Sequence, residues 1–393
     1  MREYLYDTLK ADDRAAHRAL DLESFGADPH WVEQEQRLLG TDAIRVLRDG
    51  DRLAACLSMI PMGQYFGGRP VGCLGIASLT VGPPWKGRGV STDLLRRVLE
   101  EAQADGYGLA TLYASTLPVY RKVGFEVAGQ RILYTADARD LHVGRTPGRL
   151  IPVEDPAKAR PVLERLHAEE MKATAGGLDR HDLNWARKLD PGGDRPVAVY
   201  LIEGREGPEG YVAARHAPDD RLEVLDWTAT TPATVRSLLA YLAGYRSVVR
   251  TVSWYGGPSD SLVFHMPDKG WRVGKAQHWL TRIVDVERAL GDRGYPAGLA
   301  GSVTLEVTDA LLPQNEGRFV LTVEDGAGKV ERLGRGITGT AVTLDIQALA
   351  PLYSGHYDAR FLQRAGVLEA DPGSLAAASL IFAGPRPWMA DMY

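Results

Sequence analysis

The chain has 393 residues, of which 45% are hydrophobic and 25% charged, a composition typical of a globular protein with two or three domains. Its formal net charge of −5 gives no general attraction for nucleic acid or anionic membranes, so neither is expected as a partner. Cys56 and Cys73 are the only cysteines, and no run approaches the ~20 apolar residues of a membrane span. We therefore expect a cytoplasmic protein with no disulfide framework and no metal.

The first region, residues 1–145, predicts strands with helices crossing between them, as in an α/β sheet. The predicted helices cover residues 14–22, 29–39 and 91–105, and the predicted strands cover residues 43–48, 53–61, 79–81, 109–113 and 131–135. A further segment around residues 119–125 leads into the last of these strands.

The turn before the helix at 91–105 has the pattern of a pyrophosphate-binding loop. A strand ending at Val81 runs through Gly82-Pro83-Pro84-Trp85-Lys86-Gly87-Arg88-Gly89 into a helix that Gly106 closes as its C-cap. Free amides and the positive end of a helix dipole bind phosphate, and Gly87 and Gly89 let a ligand approach the backbone. The order strand, glycine-rich basic turn and helix therefore predicts a cofactor site.

The second region, residues 146–285, repeats a similar order of elements. Helices are predicted at residues 156–171, 181–188 and 232–245, and strands at residues 197–203, 210–215, 221–229 and 249–253. Between the strand at 221–229 and the next helix stands Thr230-Thr231-Pro232-Ala233-Thr234, with no Gly-x-Gly and no basic residue. We expect the same fold used twice, with the cofactor site lost from the second copy.

The third region, residues 286–393, predicts a smaller α+β domain. Strands are expected at residues 303–308, 317–324 and 341–346, with a turn at Asp325-Gly326, and helices at residues 346–354 and 372–381.

Two patterns carry a resemblance to a known family. Lys86-x-x-Gly89-x-Ser91 resembles the acyl-coenzyme A motif of GNAT acetyltransferases, with Lys86 where Arg or Gln is usual and Ser91 where Gly or Ala is usual. Neither change removes a backbone donor. Ala289-Leu290-x4-Tyr295, the run from Val303 to Asp309, and Gly317-Arg318-Phe319 resemble the sterol-carrier-protein-like domain that ends the enhanced intracellular survival (Eis) acetyltransferases.

The resemblance covers the whole chain and implies an α/β (α+β) fold class. It implies tandem GNAT folds, the second degenerate, followed by a sterol-carrier-protein-like α+β domain. Acetyl-CoA would be held by Leu79, Val81, Lys86, Gly87, Arg88, Gly89, Val90, Ser91 and Ser115. The family also implies a homo-hexamer.

The same resemblance implies the catalytic residues. Tyr120 lies five residues after Ser115, and Gly124-Phe125 follows, so Tyr120 takes the place of the family's general acid. Transfer of an acetyl group to an amine releases a thiolate of pKa ~8.5, which a well-placed tyrosine of pKa ~10 can protonate. The family feeds its C-terminal carboxylate into the site, and Tyr393 matches in position, with Asp391 as an alternative carboxylate. An α-carboxyl of pKa ~3.5 is a poor base, so its role is electrostatic or through a water relay.

The acceptor side and the reaction leave alternatives open. Phe25, Asp28, Trp31 and Glu33 fall on the helix-loop-helix that walls the acceptor cleft in GNAT proteins, a lining that suits a cation. The leading hypothesis is an acetyl-CoA-dependent N-acetyltransferase acting on primary amines of a polyamine-like or aminoglycoside-like molecule. Thr116-Leu117-Pro118, in place of a glycine-rich linker, motivates a biosynthetic acyl- or aminoacyltransferase of the same fold. The third hypothesis is a non-catalytic acyl-CoA or lipid-binding protein. The predicted pyrophosphate-binding loop and Tyr120 argue against it.

Overall fold

The computed structural model describes residues 3–26, 28–141, 148–266, 270–334 and 336–393. Two sheets organise these residues, one of 13 strands built by the first two predicted regions and one of five strands in the third. The predicted boundary at residues 145 and 146 lies outside the described residues. No described helix is long and apolar enough to cross a membrane.

The first unit alternates strands and helices as predicted. Its elements are β1 (Leu5–Thr8), α1 (Arg14–Phe25), α2 (Pro29–Leu39), β2 (Ile44–Asp49), β3 (Arg52–Phe66), β4 (Arg69–Val81), α3 (Val90–Ala104), β5 (Leu109–Leu112), α4 (Leu117–Arg121) and β6 (Glu126–Asp137). Helix α2 begins where expected because Asp28 caps it and Pro29 opens its first turn. Helix α3 is confirmed within one residue of prediction at each end, and Gly106 follows it with a φ of +82°.

The second unit contains the predicted elements in the predicted order, together with three strands and one short helix that were not predicted. Its elements are β7 (Leu150–Pro152), α5 (Pro156–Lys172), β8 (Leu178–Asp179), α6 (Asp182–Leu189), β9 (Ala198–Glu203), β10 (Pro208–Ala217), β11 (Arg221–Ala229), α7 (Pro232–Gly244), β12 (Thr251–Gly256), α8 (Ser261–His265) and β13 (Trp271–Ile283). Strand β13 is the addition that matters most, because it leaves its own unit.

The two units exchange strands in the middle of the long sheet. The strand order is β1-β2-β3-β4-β5-β13-β6-β12-β11-β10-β9-β7, and β8 pairs with β3. Strand β13 therefore lies between β5 and β6 of the first unit, with Leu280 opposite Leu112. Strand β6 in turn pairs with β12 of the second unit, with Tyr134 opposite Trp254. Because each unit borrows a strand from the other, they form one continuous sheet.

A parallel strand pair diverges in each unit. In the first unit, β4 pairs with β5 over only three positions, ending at Gly75 opposite Thr111. In the second unit, β11 pairs with β12 as far as Val224 opposite Trp254. We call the gap beside residues 76–81 of β4 the first slot and the gap beside residues 225–229 of β11 the second slot. Ligands of α/β sheets bind at such carboxyl ends of parallel strands.

The third region forms a separate five-stranded sheet with order β16-β15-β14-β17-β18. Its elements are α9 (Val286–Asp292), β14 (Gly301–Thr308), β15 (Gly317–Glu324), β16 (Ala327–Arg332), β17 (Val342–Asp345), α10 (Ile346–Ser354), α11 (Ala359–Arg364), β18 (Leu368–Glu369) and α12 (Pro372–Ile381). The predicted turn joins β15 to β16, with both Asp325 and Gly326 at positive φ.

Buried polar and backbone contacts fix the third region to the long sheet. The guanidinium of Arg282 on β13 donates to both carboxylate oxygens of Asp309 at 2.8 and 2.7 Å, and both side chains are buried. At a second junction the backbones of Gly67 and Gly294 touch, because a Cβ on Gly294 would lie 1.9 Å from the Gly67 carbonyl oxygen. The third region therefore brings the end of the chain back to the long sheet, where Trp388 N donates to Ala175 O at 2.8 Å.

Candidate active site

The glycine-rich turn after β4 presents unused backbone amides. Gly87 and Gly89 have φ values of +74° and +80°, and a Cβ on either would meet nothing within 4 Å. Asp93 N bonds to Gly89 O at 3.0 Å, whereas the amides of residues 87–92 have no acceptor among the described residues. The open left-handed glycines and the helix N-terminus form the cradle geometry that suits a pyrophosphate.

The surroundings of the turn are basic and rigid. Lys86 and Arg88 are exposed and make no ion pair with any described residue, so their charges remain available to an anion. Asp93, the acidic group in the first turn of α3, is held by Arg96 at 2.8 Å. Trp85 fixes the start of the turn by donating its indole N–H to Asp49 at 2.8 Å.

The first slot exposes one edge of β4 beside this cradle. A bulge at Ser78, where φ is +51°, places two residues of β4 opposite Leu57 of β3. Leu79 and Val81 follow the bulge and are half-buried, with β3 on one side and no described strand on the other. Bulges redirect backbone groups, so amides of this edge are free to bind an extended ligand.

Tyr120 belongs to the hydrophobic cluster that also contains the buried side chains of α3, the helix after the glycine-rich turn. Pro118 opens α4, which carries Tyr120, and the tyrosine ring is 7% exposed and packs edge-on against Phe125. Leu79, Val81 and Val90 all belong to or pack against this cluster. Burial raises the pKa of the Tyr120 phenol, and a hydrogen bond with the Ser115 hydroxyl lowers it, with a net rise. Tyr120 is therefore protonated at neutral pH, as a proton donor must be.

The chain end is pinned close to the first slot. Arg187 donates to the Met392 carbonyl at 3.3 Å, and Arg131 donates to the Ala390 carbonyl at 3.4 Å. The Tyr393 ring is buried beside Thr111 of β5, 6.0 Å from the Tyr113 ring. Tyr393 thus reaches the strand that forms one wall of the first slot.

Asp391, the alternative carboxylate, is engaged elsewhere. It is buried and forms ion pairs with Arg180 at 2.9 Å and with Lys188 at 3.8 Å. Because two cations already neutralise it, Asp391 anchors the chain end and is not free to take a proton from an amine.

The four predicted acceptor residues have different places. Phe25 and Trp31 are 53% and 42% exposed. The Asp28 carboxylate accepts from His30 N at 2.9 Å as the cap of α2, and Glu33 is exposed and paired with Arg18. Trp31 donates to the Pro191 carbonyl at 2.7 Å and has the Arg187 guanidinium 5.8 Å from its ring. Of the four, Trp31 is the residue that described contacts join to the chain end.

Glu35 and Arg187 were missed by sequence reasoning. The buried Glu35 carboxylate accepts from Ser78 at the bulge at 3.2 Å and also from Ser58, and it pairs with Arg187 at 3.1 Å. One guanidinium therefore joins α2, α6 and the chain end. A sequence signal exists for Glu35, since it falls on the helical face of Val32 and Leu39. Arg187 has none, because its partners are distant in the chain.

A second buried cluster brings together His17, Asp21 and Cys56, whose potential metal-ligand atoms lie within 4.8 Å of one another. The Gln36 amide nitrogen contacts His17 Nδ1 at 3.0 Å and also donates to the Arg14 carbonyl at 3.2 Å, so Nδ1 is the acceptor and Nε2 carries the proton. That proton faces Asp21 at 3.5 Å, and burial raises the pKa of Asp21 to about 8. The pair therefore offers no histidine lone pair, and the absence of a metal stays a prediction.

Two slotted units on one sheet, with an open amide cradle at the first, define a GNAT acetyltransferase. Models of the GNAT acetyltransferase domain match residues 6–128 and 176–283, and a sterol carrier protein domain model matches residues 286–390. An uncharacterized N-acetyltransferase of Streptomyces avermitilis is 31% identical over 88% of this chain and 87% of its own length. The chain belongs to the Eis-like GNAT N-acetyltransferase family, and the predicted fold class is confirmed.

Two further relatives span the chain. N-acetyltransferase Eis of Mycobacterium bovis is 26% identical over 88% of both chains. The crystal structure of a GCN5-related N-acetyltransferase from Anabaena variabilis matches the full length of both chains with a TM-score of 0.94 and 30% identity. The predicted enzyme class, an acyltransferase, is confirmed by this agreement.

Proposed function

We propose that this N-acetyltransferase moves the acetyl group of acetyl-CoA to a primary amine of a small cationic molecule, polyamine-like or aminoglycoside-like. The observation that carries the proposal is the first slot, where unused amides of residues 87–92, an open β4 edge and a buried tyrosine meet around one core cluster. Each of these features matches one need of the reaction.

The donor is bound by backbone groups. The pyrophosphate lies on the amides of the turn between Gly87 and Ser91, with Lys86 and Arg88 supplying positive charge. The pantetheine arm pairs with the open edge at Leu79 and Val81. Amides of that edge polarise the thioester carbonyl, because fixed donors stabilise the oxyanion that develops there.

The leaving thiolate takes its proton from Tyr120. The phenol is kept neutral by burial, while the nearby Ser115 hydroxyl lowers its pKa. A positioned acid of this kind contributes roughly 10²-fold to 10⁴-fold in rate.

The acceptor amine is held by negative charge at the chain end. The terminal carboxylate of Tyr393 lies one residue beyond the Met392 carbonyl that Arg187 binds, so its position is set by the Glu35–Arg187 pair. An α-carboxylate attracts an ammonium, and a water relay carries the ammonium's proton to the solvent, because the carboxylate itself is too weak a base. Tyr120 regains its proton from the amine that has attacked, through the same water.

A thiol-release assay tests the proposed reaction. Purified protein with acetyl-CoA is given kanamycin, spermidine and, as a control, a neutral polyol of similar size. We expect thiol release with the amines and none with the polyol. Coenzyme A binding without thiol release for any amine would overturn the acetyl-transfer proposal.

The free chain end is a second test. An extension after Tyr393 turns the carboxylate into a neutral amide and adds residues at the chain end, so we expect at least a ~10-fold fall in kcat, within the range of a lost electrostatic group. The same extension placed before Met1 is the matched control. Full activity with an intact C-terminal extension would remove Tyr393 from the mechanism.

We also propose a homo-hexamer, an assembly supported by family resemblance and by the exposed Phe264 and Val248 of the second unit. Light scattering at micromolar concentration measures the mass. A value equal to one chain of 42.9 kDa would contradict the assembly.

A further inference from the structure

The second slot is filled by the protein's own C-terminal segment. Trp388, Ala390 and Asp391 line a cavity together with Trp227 on β11 and Tyr255 on β12. The Trp388 ring rests on Gly257, where a Cβ would come within 2.5 Å of the ring. The segment therefore takes the place that a ligand arm has in an open slot and leaves a small cavity beneath it.

The basic groups around this cavity already have partners. Arg180 donates to both carboxylate oxygens of Asp226 at 2.6 and 2.9 Å and pairs with Asp391. His167 contacts the Leu178 carbonyl at 2.8 Å through Nε2, and burial lowers its pKa to about 4, so it is neutral. Lys188 donates to the Leu225 and Ala390 carbonyls at 3.1 Å. Arg180, the described arginine that lines the cavity, is therefore already paired, and Arg131, which donates to Gln277 and the Ala390 carbonyl, is not among the lining residues.

A further acid, Glu170 at the end of α5, also lines the cavity. Its carboxylate has no hydrogen-bond or ion-pair partner among the described residues. Burial raises the pKa of Glu170 to about 7, with a further contribution from the charge of Asp260. Asp260 itself is occupied by the Trp254 indole at 3.1 Å and the Val263 amide at 2.9 Å, and burial raises its pKa to about 6.

We propose that the second-slot cavity binds the ammonium end of an alkylamine, with Glu170 as counter-ion and the rings of Trp227, Tyr255 and Trp388 as its walls. Aromatic faces attract cations, and a half-buried carboxylate with no described partner gains from a neighbouring one. The free volume of about 20 Å³ admits a group of the size of water or ammonium.

This site is separate from the first slot and does not depend on the proposed reaction. The Arg131 guanidinium lies between the two, 3.9 Å from the Tyr255 ring and 5.2 Å from the Tyr113 ring. Binding is therefore measured without acetyl-CoA, so its failure would leave the proposed function untouched.

Calorimetry with n-butylammonium chloride against potassium chloride of equal ionic strength tests the site. We expect Glu170→Gln to weaken butylammonium binding at least 10-fold at pH 8, while Glu169→Gln, the exposed neighbour, leaves it unchanged. Binding at the first slot is common to all three proteins, so the difference between them reports the cavity. Equal isotherms for the wild type and Glu170→Gln, or equal binding of potassium, would overturn the site.

Measuring butylammonium binding to the wild type over a pH series tests the site without any variant. Because the raised pKa of Glu170 makes it neutral below about 7, wild-type affinity should fall as pH drops from 8 to 6, while the alkylammonium stays charged. Circular dichroism checks that Glu170→Gln folds. If it does not, Trp227→Leu replaces it, and pH-independent binding in the wild type would itself contradict the proposal.

Discussion

The two GNAT units share an architecture and differ in what stands at the slot. In each, a parallel strand pair diverges, a long helix follows the first strand, and a five-residue helix follows the second. Between β4 and α3 the chain has room for the turn at residues 82–89, whereas between β11 and α7 only Thr230 and Thr231 intervene. The second unit has therefore lost the cradle by shortening.

Side chains at the start of α7 also bind the backbone amides there, which leaves fewer of them for a ligand. The Thr231 hydroxyl accepts from Thr234 N, and the Thr234 hydroxyl accepts from Thr231 N at 3.1 Å, which completes a capping box. At the start of α3, by contrast, Gly89 has no side chain to offer. A helix N-terminus that caps itself is stable without a ligand, and one that does not is ready for an anion.

The two units also differ at the position of Tyr120, the proposed proton donor. Tyr120 is the fourth residue of α4, eight residues beyond the end of β5, and Phe264 is the fourth residue of α8, eight residues beyond β12. Tyr120 is 7% exposed and belongs to the hydrophobic cluster of α3, while Phe264 is 84% exposed and has no hydroxyl. The second unit has neither a glycine-rich turn nor a tyrosine at these positions, and it holds the C-terminal segment, which passes from the second slot towards the first.

Replacing a cradle glycine should produce the largest effect. Gly89→Glu adds a negative charge and a side chain at a φ of +80°, so we expect coenzyme A binding to be lost while the fold survives. Calorimetry with coenzyme A and circular dichroism measure the two outcomes. Thr230→Glu, in the turn before α7 and one residue before its cap Thr231, is the control in the second unit and should bind as the wild type does.

Unchanged affinity in Gly89→Glu would show that the cofactor does not use this turn. Lost affinity in Thr230→Glu as well would show that the second unit also binds it, and the contrast between the units would fail.

Removing the phenol hydroxyl should have the next largest effect. Tyr120→Phe keeps the ring packed against Phe125, so coenzyme A binding should persist while kcat falls roughly 10²-fold, the range of a lost general acid. Phe264→Tyr, the mirror change, should leave steady-state kinetics as they were. A Tyr120→Phe enzyme with wild-type kcat would leave Tyr120 as a packing residue.

Local signals in the sequence were enough for most of the elements and for the glycine-rich turn before α3. Helix α2, strand β15 and helix α12 have the predicted bounds, because the residues that determine their caps and apolar periodicity lie within or next to each segment. The cradle glycines and the spacing of Ser115 and Tyr120 are equally local.

Features that join distant segments could not be predicted from the sequence. Strand β13 was not predicted because residues 272–276 are exposed and show no apolar alternation, although its last five residues are buried against β5 and β6. Its exchange between the units has no local pattern at all. The Glu35–Arg187 pair depends on a contact across 152 positions, and the pairing of Asp391 with Arg180 likewise appears only once the chain end has returned.

The cap of α7 gives the smallest expected effect. Thr231→Ala removes the hydroxyl that accepts from Thr234 N, so unfolding free energy should fall by about 1 kcal/mol, the usual cost of a lost threonine cap. Coenzyme A affinity should not change, because two residues between β11 and α7 cannot form a phosphate loop even when the amides are released. Denaturant unfolding and calorimetry on the same sample separate the two quantities. A gain in coenzyme A binding would mean that the side chains of Thr231 and Thr234, and not the shortened loop, closed the second site.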